Sequence, residues 1–478
     1  MNHASVSLEQ DWLIAKADEN PFTASIETNE REIVLSNGLI RRKWRLVPNC
    51  TTVGFDNLLT KETIIRSVNQ EAIVTLNGQS YDVGGVEWNG EKAYLKEEWL
   101  DLMEENTESF KYKSHQVHPL KERFSWKRKR GVSESPWPPK GISLTFYYDP
   151  PEKSSLEGVS IAITYDIYDG IPLLSKQLTI FNHHQRDIVL DHFVGEILST
   201  VEVEAPVDDQ TFWDVPNIHV ESDFAFHGMT SKAANETTHW LPDPSYTTQV
   251  NFNLNTLTRL ESKPKIGPAV TIAPGESFAS FRTFELVFDS TDRERKSLTQ
   301  KKMYRLIAPW VTENPLIMHV LSDQTDVVKQ AIDQAEETGF EMVMLSFGSG
   351  FNMENDDEAY LLRMKELADY AHTKGIELGG YSLLASRSIG PEHDVISDQI
   401  TFNQSPCLAS AWGLRYFDKL KSFFEKTGFD ALEHDGSYPG DICESRSHPG
   451  HQGKEDSQWI QWKMISEFYI GAEDEAFI

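Results

Sequence analysis

Cysteine is scarce in this sequence, and positive charge is outnumbered by negative charge. The 478 residues include three cysteines, Cys50, Cys407 and Cys443, which lie far apart and form no Cys-x-x-Cys pattern. A disulfide framework is therefore not expected, and the odd count leaves at least one free thiol. The formal net charge of −29 argues against nucleic acid and anionic membrane surfaces as main partners.

Long apolar runs and nucleotide motifs are also missing. No stretch approaches the roughly 18 apolar residues that span a bilayer, and the N-terminus has no basic start followed by an apolar core. We therefore expect a cytoplasmic protein as the sequence is written, or a secreted or periplasmic one if the N-terminus is incomplete. The only glycine-rich candidate, 347–351, is too short and badly placed for a dinucleotide or P-loop fingerprint.

The first three hundred residues contain short strands separated by turns. Asn37-Gly38 and Asn77-Gly78 are dipeptides typical of hairpin turns. Alternation of apolar and polar residues is clearest at 142–148, 159–167 and 173–181. Helical periodicity is almost absent from this part of the chain. The pattern predicts a large antiparallel β-sandwich in a domain spanning residues 1–300.

Beyond residue 300, strands and helices alternate. Buried strands are predicted at 316–321, 340–347, 376–384 and 429–435. Helical periodicity separates these strands, and Gly339, Gly375 and Gly428 end three of the helices. Repeated βα units imply a parallel sheet, either a barrel or a doubly wound sheet, in a second domain spanning residues 301–478.

The segment 428–436 places three ionisable side chains at the end of the fourth of these strands. Glu433, His434 and Asp435 come directly before Gly436. In parallel α/β proteins, ligands and catalytic groups gather at the carboxyl ends of strands. Burial of these side chains inside the strand would be costly unless they were paired. The segment therefore indicates either a functional site or an ordinary polar strand end.

Three stretches resemble the clan of retaining α-glycosidases that contains the family 36 α-galactosidases. Residues 165–173 are similar to its sandwich strands, 284–315 to the passage into its barrel, and 339–380 to its second and third βα units. The resemblance implies a multidomain β and α/β protein. An N-terminal antiparallel β-sandwich would be followed by the first half of a (β/α)8 TIM-type barrel, with about four βα units.

The resemblance also implies a nucleophilic aspartate at the end of the fourth barrel strand, where this sequence has Asp435. A carboxylate can attack an oxocarbenium-like centre and form a glycosyl ester that water then hydrolyses. We predict that the substrate is bound by Glu433, His434, Asp441, Arg387, Tyr381 and Asp356. Arg387 has an alternative role, which is to pair with a structural carboxylate. The paired aspartates that family members carry after the second strand are replaced here by 346–350, so galactose specificity does not follow.

The polar loop that follows Asp435 contains residue types that could bind a metal. It contains Cys443 and the pair His448 and His451, with His434 just before it. This His-x-x-His pair and a lone cysteine lack a usual zinc spacing, so we predict neither a metal nor a cofactor. Substrate hydrogen bonding by Asp441 and one histidine, or plain loop structure, are the other readings of this segment.

The α/β part is short for a complete barrel. A full (β/α)8 barrel takes about 250 residues, whereas about 160 follow residue 316. The resemblance implies an acid/base aspartate on a sixth strand, to which no residue here corresponds; Glu433 and Asp441 are the candidate substitutes. We therefore expect the N-terminal part of a longer glycosidase, with an open half barrel whose apolar edges are exposed.

Three functions remain open on the sequence. The leading prediction is a retaining glycoside hydrolase that acts on an α-linked oligo- or polysaccharide, with activity that this shortened form could lack. The alternative is a non-catalytic carbohydrate-binding protein. The third is a metal-dependent hydrolase built on 434–456. The sugar, the linkage and the oligomeric state do not follow from the sequence.

Overall fold

The protein is a mixed β and α/β structure with several antiparallel sheets and one parallel sheet. It is described by a computed structural model. The described residues are 11–15, 20–130, 136–152, 154–202, 215–224, 235–248, 251–398, 400, 404–436 and 440–474. No helix among them is both long enough and apolar enough to cross a membrane.

Antiparallel strands occupy the N-terminal part of the described chain. They are β1 (Ser25–Thr28), β2 (Glu32–Ser36), β3 (Ile40–Arg45), β4 (Thr51–Asn57), β5 (Glu62–Thr63), β6 (Ile65–Ser67), β7 (Ala72–Leu76), β8 (Gln79–Val83), β9 (Lys111–Pro119), β10 (Gly141–Asp149), β11 (Val159–Tyr168), β12 (Leu173–Asn182), β13 (Ile188–Val194), β14 (Glu196–Thr200), β15 (Ile218–Ser222), β16 (Thr238–Leu241), β17 (Arg259–Ser262), β18 (Pro268–Ile272), β19 (Ser277–Ala279) and β20 (Thr283–Val287). A short 3-10 helix, Glu97–Leu102, interrupts them.

These strands form four sheets. Their orders are β1-β2-β3-β4-β5, β15-β20-β12-β11-β10-β9 with β19 also paired to β12, β18-β13-β7-β8, and β16-β17-β14-β6. The three alternating segments predicted from the sequence are β10, β11 and β12, which are consecutive neighbours in the second sheet. Asn77 and Gly78 have φ angles of 51° and 78° and join β7 to β8, as a type I′ hairpin requires. The arrangement is consistent with the predicted sandwich.

The core of the antiparallel part contains charged groups as well as apolar ones. Arg42 on β3 is 1% exposed, and its Nη1 lies 2.9 Å from Glu196 on β14 and 3.0 Å from Glu285 on β20. Lys176 on β12 approaches the same Glu196 carboxylate at 3.0 Å. Buried charges are tolerated when they are paired in this way. The cluster therefore connects strands from three of the four sheets.

The C-terminal part alternates parallel strands with helices. After α1 (Arg293–Ile307) and a 3-10 turn, Pro309–Thr312, come β21 (Ile317–Val320), α2 (Thr325–Thr338), β22 (Met342–Leu345), α3 (Glu358–Thr373), β23 (Glu377–Leu383), α4 (Gly413–Thr427), β24 (Ala431–Asp435) and α5 (Lys454–Asp474). The predicted strands and helices are confirmed with shifts of a few residues at their ends. Gly339 and Gly428 stop α2 and α4 with φ angles of 79° and 73°, because glycine adopts this left-handed cap conformation without a Cβ penalty.

The parallel strands follow one another in sequence order, β21-β22-β23-β24. One face of the sheet packs against the helices through buried residues such as Val320, Val343, Leu345 and Leu378. Within the described residues β21 and β24 are unpaired on their outer sides, and Leu316 and Leu321 beside β21 are 63% and 73% exposed. The sheet is therefore open across the part of the chain that the structure describes.

Helix α5 packs against both parts of the protein. Trp459 and Trp462 on its first turns lie against the apolar core of the antiparallel sheets. Trp459 stacks on Phe224 with ring centroids 5.4 Å apart. Two turns later, Ile465 belongs to the apolar core between the parallel sheet and its helices. One helix therefore contributes to both cores.

Candidate functional site

Strand alternation divides the ionisable residues of β24 between two faces of the sheet. Tyr381 on β23 is paired in register with Glu433, and Leu383 with Asp435. Because successive side chains of a strand point to opposite faces, Glu433 and Asp435 share the face opposite the helices with Tyr381. His434 lies on the helix-covered face. This brings two of the predicted carboxylates and the predicted tyrosine together at the carboxyl end of the sheet.

Asp435 is exposed and accepts a hydrogen bond from Tyr381. The Tyr381 hydroxyl lies 2.6 Å from Asp435 Oδ2. Burial and this hydrogen bond raise the pKa of Tyr381 above its ordinary value, so the phenol is protonated at neutral pH and donates. A hydrogen bond to an ionised carboxylate is short and strong, and it fixes the orientation of the carboxylate. The result is an ionisable, solvent-facing oxygen held at a strand mouth.

Glu433 contacts a histidine that the sequence did not single out. Its carboxylate lies 3.7 Å from His319 Nδ1 on β21, and the same nitrogen is 3.0 Å from the Ser346 hydroxyl that follows β22. Within the described residues, Glu433 Oε2 is nevertheless buried without a hydrogen-bond partner. A buried polar atom without a partner is costly, so an unpaired acceptor at a strand mouth can receive a hydrogen bond from a ligand.

An exposed aromatic ring borders the same group of residues. Phe347 directly follows Ser346 and is 63% exposed. Its ring centroid lies 5.4 Å from that of Tyr381, and the two ring planes are inclined at 65°. The flat apolar face of Phe347 thus lies next to hydroxyl, imidazole and carboxylate groups. Apolar surface with a few convergent polar groups is the usual composition of a small-molecule site.

His434 is held on the other face of the sheet by two tyrosines. Its Nε2 lies 2.9 Å from the Tyr416 hydroxyl on α4, and its Nδ1 lies 2.8 Å from the Tyr469 hydroxyl on α5. Burial and the positive charge of Arg387 lower the pKa of His434 to about 3. The ring is therefore neutral at pH 7, and both nitrogens are engaged by protein groups. The structure does not bring it together with Glu433 and Asp435.

The remaining predicted substrate contacts have protein partners of their own. Arg387 Nη2 lies 2.7 Å from a Glu354 carboxylate oxygen. The contact with Glu354 matches the alternative role predicted for Arg387, which is pairing with a structural carboxylate. The guanidinium carbon also lies 5.0 Å from the centre of the Trp412 ring. Asp356 is exposed and lies 3.3 Å from Lys419 on α4.

Asp441 lies in the segment between β24 and α5. It is 5% exposed, and its backbone carbonyl accepts a hydrogen bond from the Gln461 amide at 3.3 Å. The neighbouring residues 437–439, which the sequence included in the same polar loop, are outside the described residues.

The residues able to hold a metal are a different set from the one drawn on the sequence. Cys443, His448 and His451 are joined by Cys407, which comes from the segment before α4. His434 is not in this group. No spacing pattern pointed to Cys407, because 35 residues separate it from Cys443.

His319, Ser346 and Phe347 are the site residues that sequence reasoning missed. His319 interrupts an otherwise apolar strand, between the half-buried Met318 and the buried Val320. A polar residue at an alternate position of a short parallel strand is the signal that could have identified it, because such strands usually contain continuous apolar runs.

Neither protein-family profiles nor curated protein sequences match this chain. Solved structures do. The α-galactosidases AgaB and AgaA of Geobacillus stearothermophilus, both of glycoside hydrolase family 36, match with TM-scores of 0.55 and 0.54 at 10% and 11% identity. The matches cover 94% and 93% of this chain and 70% of each enzyme.

The galactosidase domain of the α-galactosidase-sucrose kinase AgaSK matches with a TM-score of 0.52 at 9% identity, covering 94% of this chain and 71% of that one. Variants of AgaA have been solved in complex with 1-deoxygalactonojirimycin and with stachyose. Sequence identities of 9–11% support a shared fold and nothing further. The chain shares its fold with the family 36 α-galactosidases over most of its length, and the resemblance seen in its sequence is confirmed at that level.

Proposed function

We propose that this protein is a retaining glycoside hydrolase of α-linked glycosides, with Asp435 as its nucleophile. The observation that carries the proposal is the Asp435 carboxylate at the end of β24, exposed to solvent and oriented by the Tyr381 hydroxyl at 2.6 Å. A nucleophilic carboxylate needs access to the anomeric carbon and a fixed orientation. Asp435 has both.

The surrounding residues supply what a sugar substrate needs. The unpaired Glu433 oxygen can accept a hydrogen bond from a sugar hydroxyl. His319 and Ser346, whose Nδ1 and hydroxyl oxygen are 3.0 Å apart, can donate or accept further hydrogen bonds. Phe347 offers an exposed ring on which the C–H face of a pyranose can lie. Glu433 and Tyr381 therefore remain proposed substrate contacts, whereas His434 and Arg387 are better placed to support the strand mouth from behind.

We also propose that residues 301–478 form the first half of a (β/α)8 barrel, after a sandwich domain spanning 1–300. Four parallel strands in sequence order, each leading to a helix on the same side of the sheet, are what a barrel requires. A doubly wound sheet would instead reverse its strand order at a switch point. The likeness in fold to family 36 enzymes supports the same arrangement.

In the proposed reaction, Asp435 attacks the anomeric carbon as the glycosidic bond breaks. The resulting glycosyl ester at Asp435 is then hydrolysed, and the α configuration is restored. This mechanism needs a second carboxyl group about 5–5.5 Å from the nucleophile to protonate the leaving group. Glu433 and Asp441 are the predicted substitutes for that group, and Glu433 is the one that shares a sheet face with Asp435.

A mechanism-based inactivator tests the proposal. The protein is incubated with a set of epoxides that mimic α-glycosides and differ in the orientation of the sugar hydroxyls. It is then digested, and its peptides are analysed by mass spectrometry. We expect one ester adduct on Asp435, which is lost in Asp435→Asn and retained in the matched control Asp418→Asn on the exposed side of α4. An adduct on another carboxylate would refute Asp435 as the nucleophile.

Non-catalytic carbohydrate binding is the second candidate, and the exposed Phe347 ring favours it independently of Asp435. Saturable binding of an oligosaccharide without any adduct or turnover would support this second function. In that case Phe347→Ala is expected to weaken binding and Asp435→Asn is not. Absence of both binding and labelling would reject both candidates.

A further inference from the structure

Four metal-ligand side chains meet in the interior beside the carboxyl end of the parallel sheet. Cys407, Cys443, His448 and His451 are 0%, 0%, 4% and 5% exposed. One ligand atom from each lies within 4.8 Å of all the others. No other group of three or more histidine, cysteine or acidic side chains with this geometry occurs among the described residues. The four come from two chain segments, so their convergence is a product of the fold.

Three of the four ring nitrogens of the two histidines have no hydrogen-bond partner among the described residues. His448 Nε2 and both ring nitrogens of His451 are buried without one. The other nitrogen of His448 lies 3.5 Å from Cys443 Sγ. Nearly all buried side-chain polar atoms in folded proteins are paired, and leaving one unpaired costs about 1–3 kcal/mol. A neutral imidazole carries one N–H and one lone pair, so each of these two buried rings can give one lone pair to a metal ion.

We propose that Cys407, Cys443, His448 and His451 bind one zinc ion in a closed, four-coordinate site. Two thiolates and two imidazoles are a common ligand set of structural zinc, with Zn–S near 2.3 Å and Zn–N near 2.0 Å. In a tetrahedron of that size neighbouring ligand atoms are roughly 3.3–3.8 Å apart. Each pair therefore has to close by no more than about 1.5 Å, which small side-chain rotations supply.

The groups around the cluster fit this assignment. Asp456 Oδ1 lies 3.9 Å from His451 Nδ1, where a carboxylate can orient a ligating histidine and increase its basicity. The Cys443 amide donates to the Ser457 hydroxyl at 3.0 Å. A Cβ at Gly450, between the two histidines, would lie 2.7 Å from the Ala409 carbonyl oxygen, so the turn that presents the histidines is tightly packed.

The ion would tie together two segments that leave neighbouring strands. Cys407 lies between β23 and α4, and the other three ligands lie between β24 and α5. The segments already meet through backbone hydrogen bonds, Glu444 N to the Ile396 carbonyl at 2.7 Å and Gly450 N to the Ala409 carbonyl at 2.9 Å. With four protein ligands no coordination position is left for a substrate, so the role is structural. The inference does not depend on the proposed hydrolase activity.

Metal analysis of the purified full chain tests the site. Protein produced in zinc-supplemented medium is desalted, and its metal content is measured by mass spectrometry. We expect one zinc ion per chain, released in proportion when a mercurial reagent titrates the thiols. Cys443→Ser and His451→Ala are expected to lower the zinc content at least about tenfold, whereas Cys50→Ala, which removes the buried cysteine of the antiparallel part, leaves it unchanged.

Cobalt substitution makes the test independent of whether the variants fold. The wild-type protein, reduced and stripped of metal, is titrated with Co²⁺. We expect the intense visible bands of tetrahedral cobalt together with thiolate-to-metal charge transfer, and competition by Zn²⁺. Reduced wild-type protein that binds neither metal would overturn the proposal. So would a Cys407–Cys443 disulfide found in the natively purified protein, or zinc that persists in both variants.

Discussion

Replacing Arg42 with methionine is expected to destabilise the protein by about 3–5 kcal/mol, the usual cost of removing one partner from a buried ion pair. Arg42 is fully enclosed. It contacts Glu196 at 2.9 Å and Glu285 at 3.0 Å, donates to the Thr52 hydroxyl from two nitrogens at 3.1 and 3.2 Å, and lies over the Tyr165 ring at 4.7 Å. Methionine fills similar space but supplies no donor.

The loss of stability in Arg42→Met should lie toward the lower end of that range, because Glu196 and Glu285 respond differently to the loss of the guanidinium group. Burial opposes ionisation of Glu196, yet Arg42 and Lys176 hold its pKa at about 2. In the variant Lys176 remains beside it at 3.0 Å. Burial and the neighbouring Glu196 already raise the pKa of Glu285 well above its ordinary value, so Glu285 can take up a proton instead of remaining as an unpaired charge.

Arg41 on the same strand provides the matched control. Its side chain is 49% exposed and pairs with Asp56 at 2.7 Å. Exposed pairs contribute about 0–1 kcal/mol, so Arg41→Met should change stability by no more than about 1 kcal/mol. Urea unfolding of both variants and the wild type, followed by tryptophan fluorescence at pH 7, measures the difference. If Arg42→Met were no less stable than Arg41→Met, the buried cluster would not stabilise the fold as described.

Two further outcomes are expected. Burial lowers the pKa of His434 from about 6.5 to about 3. Between these pH values the folded state binds fewer protons than the unfolded chain. The free energy of unfolding should therefore fall as the pH drops below 6.5, by about 2 kcal/mol at pH 5. His434→Gln should remove that part of the pH dependence of urea unfolding, and an unchanged slope would contradict the assignment. Gly380→Ala should cost about 1–3 kcal/mol, because its Cβ would lie 2.2 Å from the Phe351 ring. Gly453→Ala is the control in thermal unfolding, because no atom of the described residues beyond its chain neighbours lies within 4 Å of the new Cβ. Equal melting temperatures would refute the packing argument.

The alternation of strands and helices was readable from the sequence because local signals determine it. Helix-ending glycines adopt positive φ at Gly339, Gly375 and Gly428, as their positions predicted. The hairpin at Asn77-Gly78 follows the same logic. How the four antiparallel sheets pair was not predictable, because β12, β19 and β20 are neighbours through long-range pairing that no local pattern encodes.

The site was predicted in part, and the errors share one physical origin. Glu433, His434 and Asp435 were treated as one group, although alternation along a strand must send His434 to the opposite face. Conversely, His319 was overlooked because it belongs to a different strand and meets Glu433 only through the sheet. Contacts of this kind depend on strand register, which a single sequence does not give.

Cys407 shows the same limit more sharply. Spacing rules recognise metal ligands that lie close together in the chain, and the pair of His448 and His451 with Cys443 fell short of them. The fourth ligand arrives from the segment before α4. Only the packing of two long connections against each other brings it within reach of the other three.

The position of α5 has a mechanical consequence. Trp459 and Trp462 lie in one apolar core and Ile465 in the other, while Tyr469 at the end of the helix bonds to His434 at 2.8 Å. A rotation of the parallel sheet away from the antiparallel sheets would have to expose the buried Trp459 indole and the packed face of the half-buried Trp462, at a cost of a few kcal/mol. The helix therefore acts as a rigid strut. A hinge motion between the two parts should therefore be strongly suppressed.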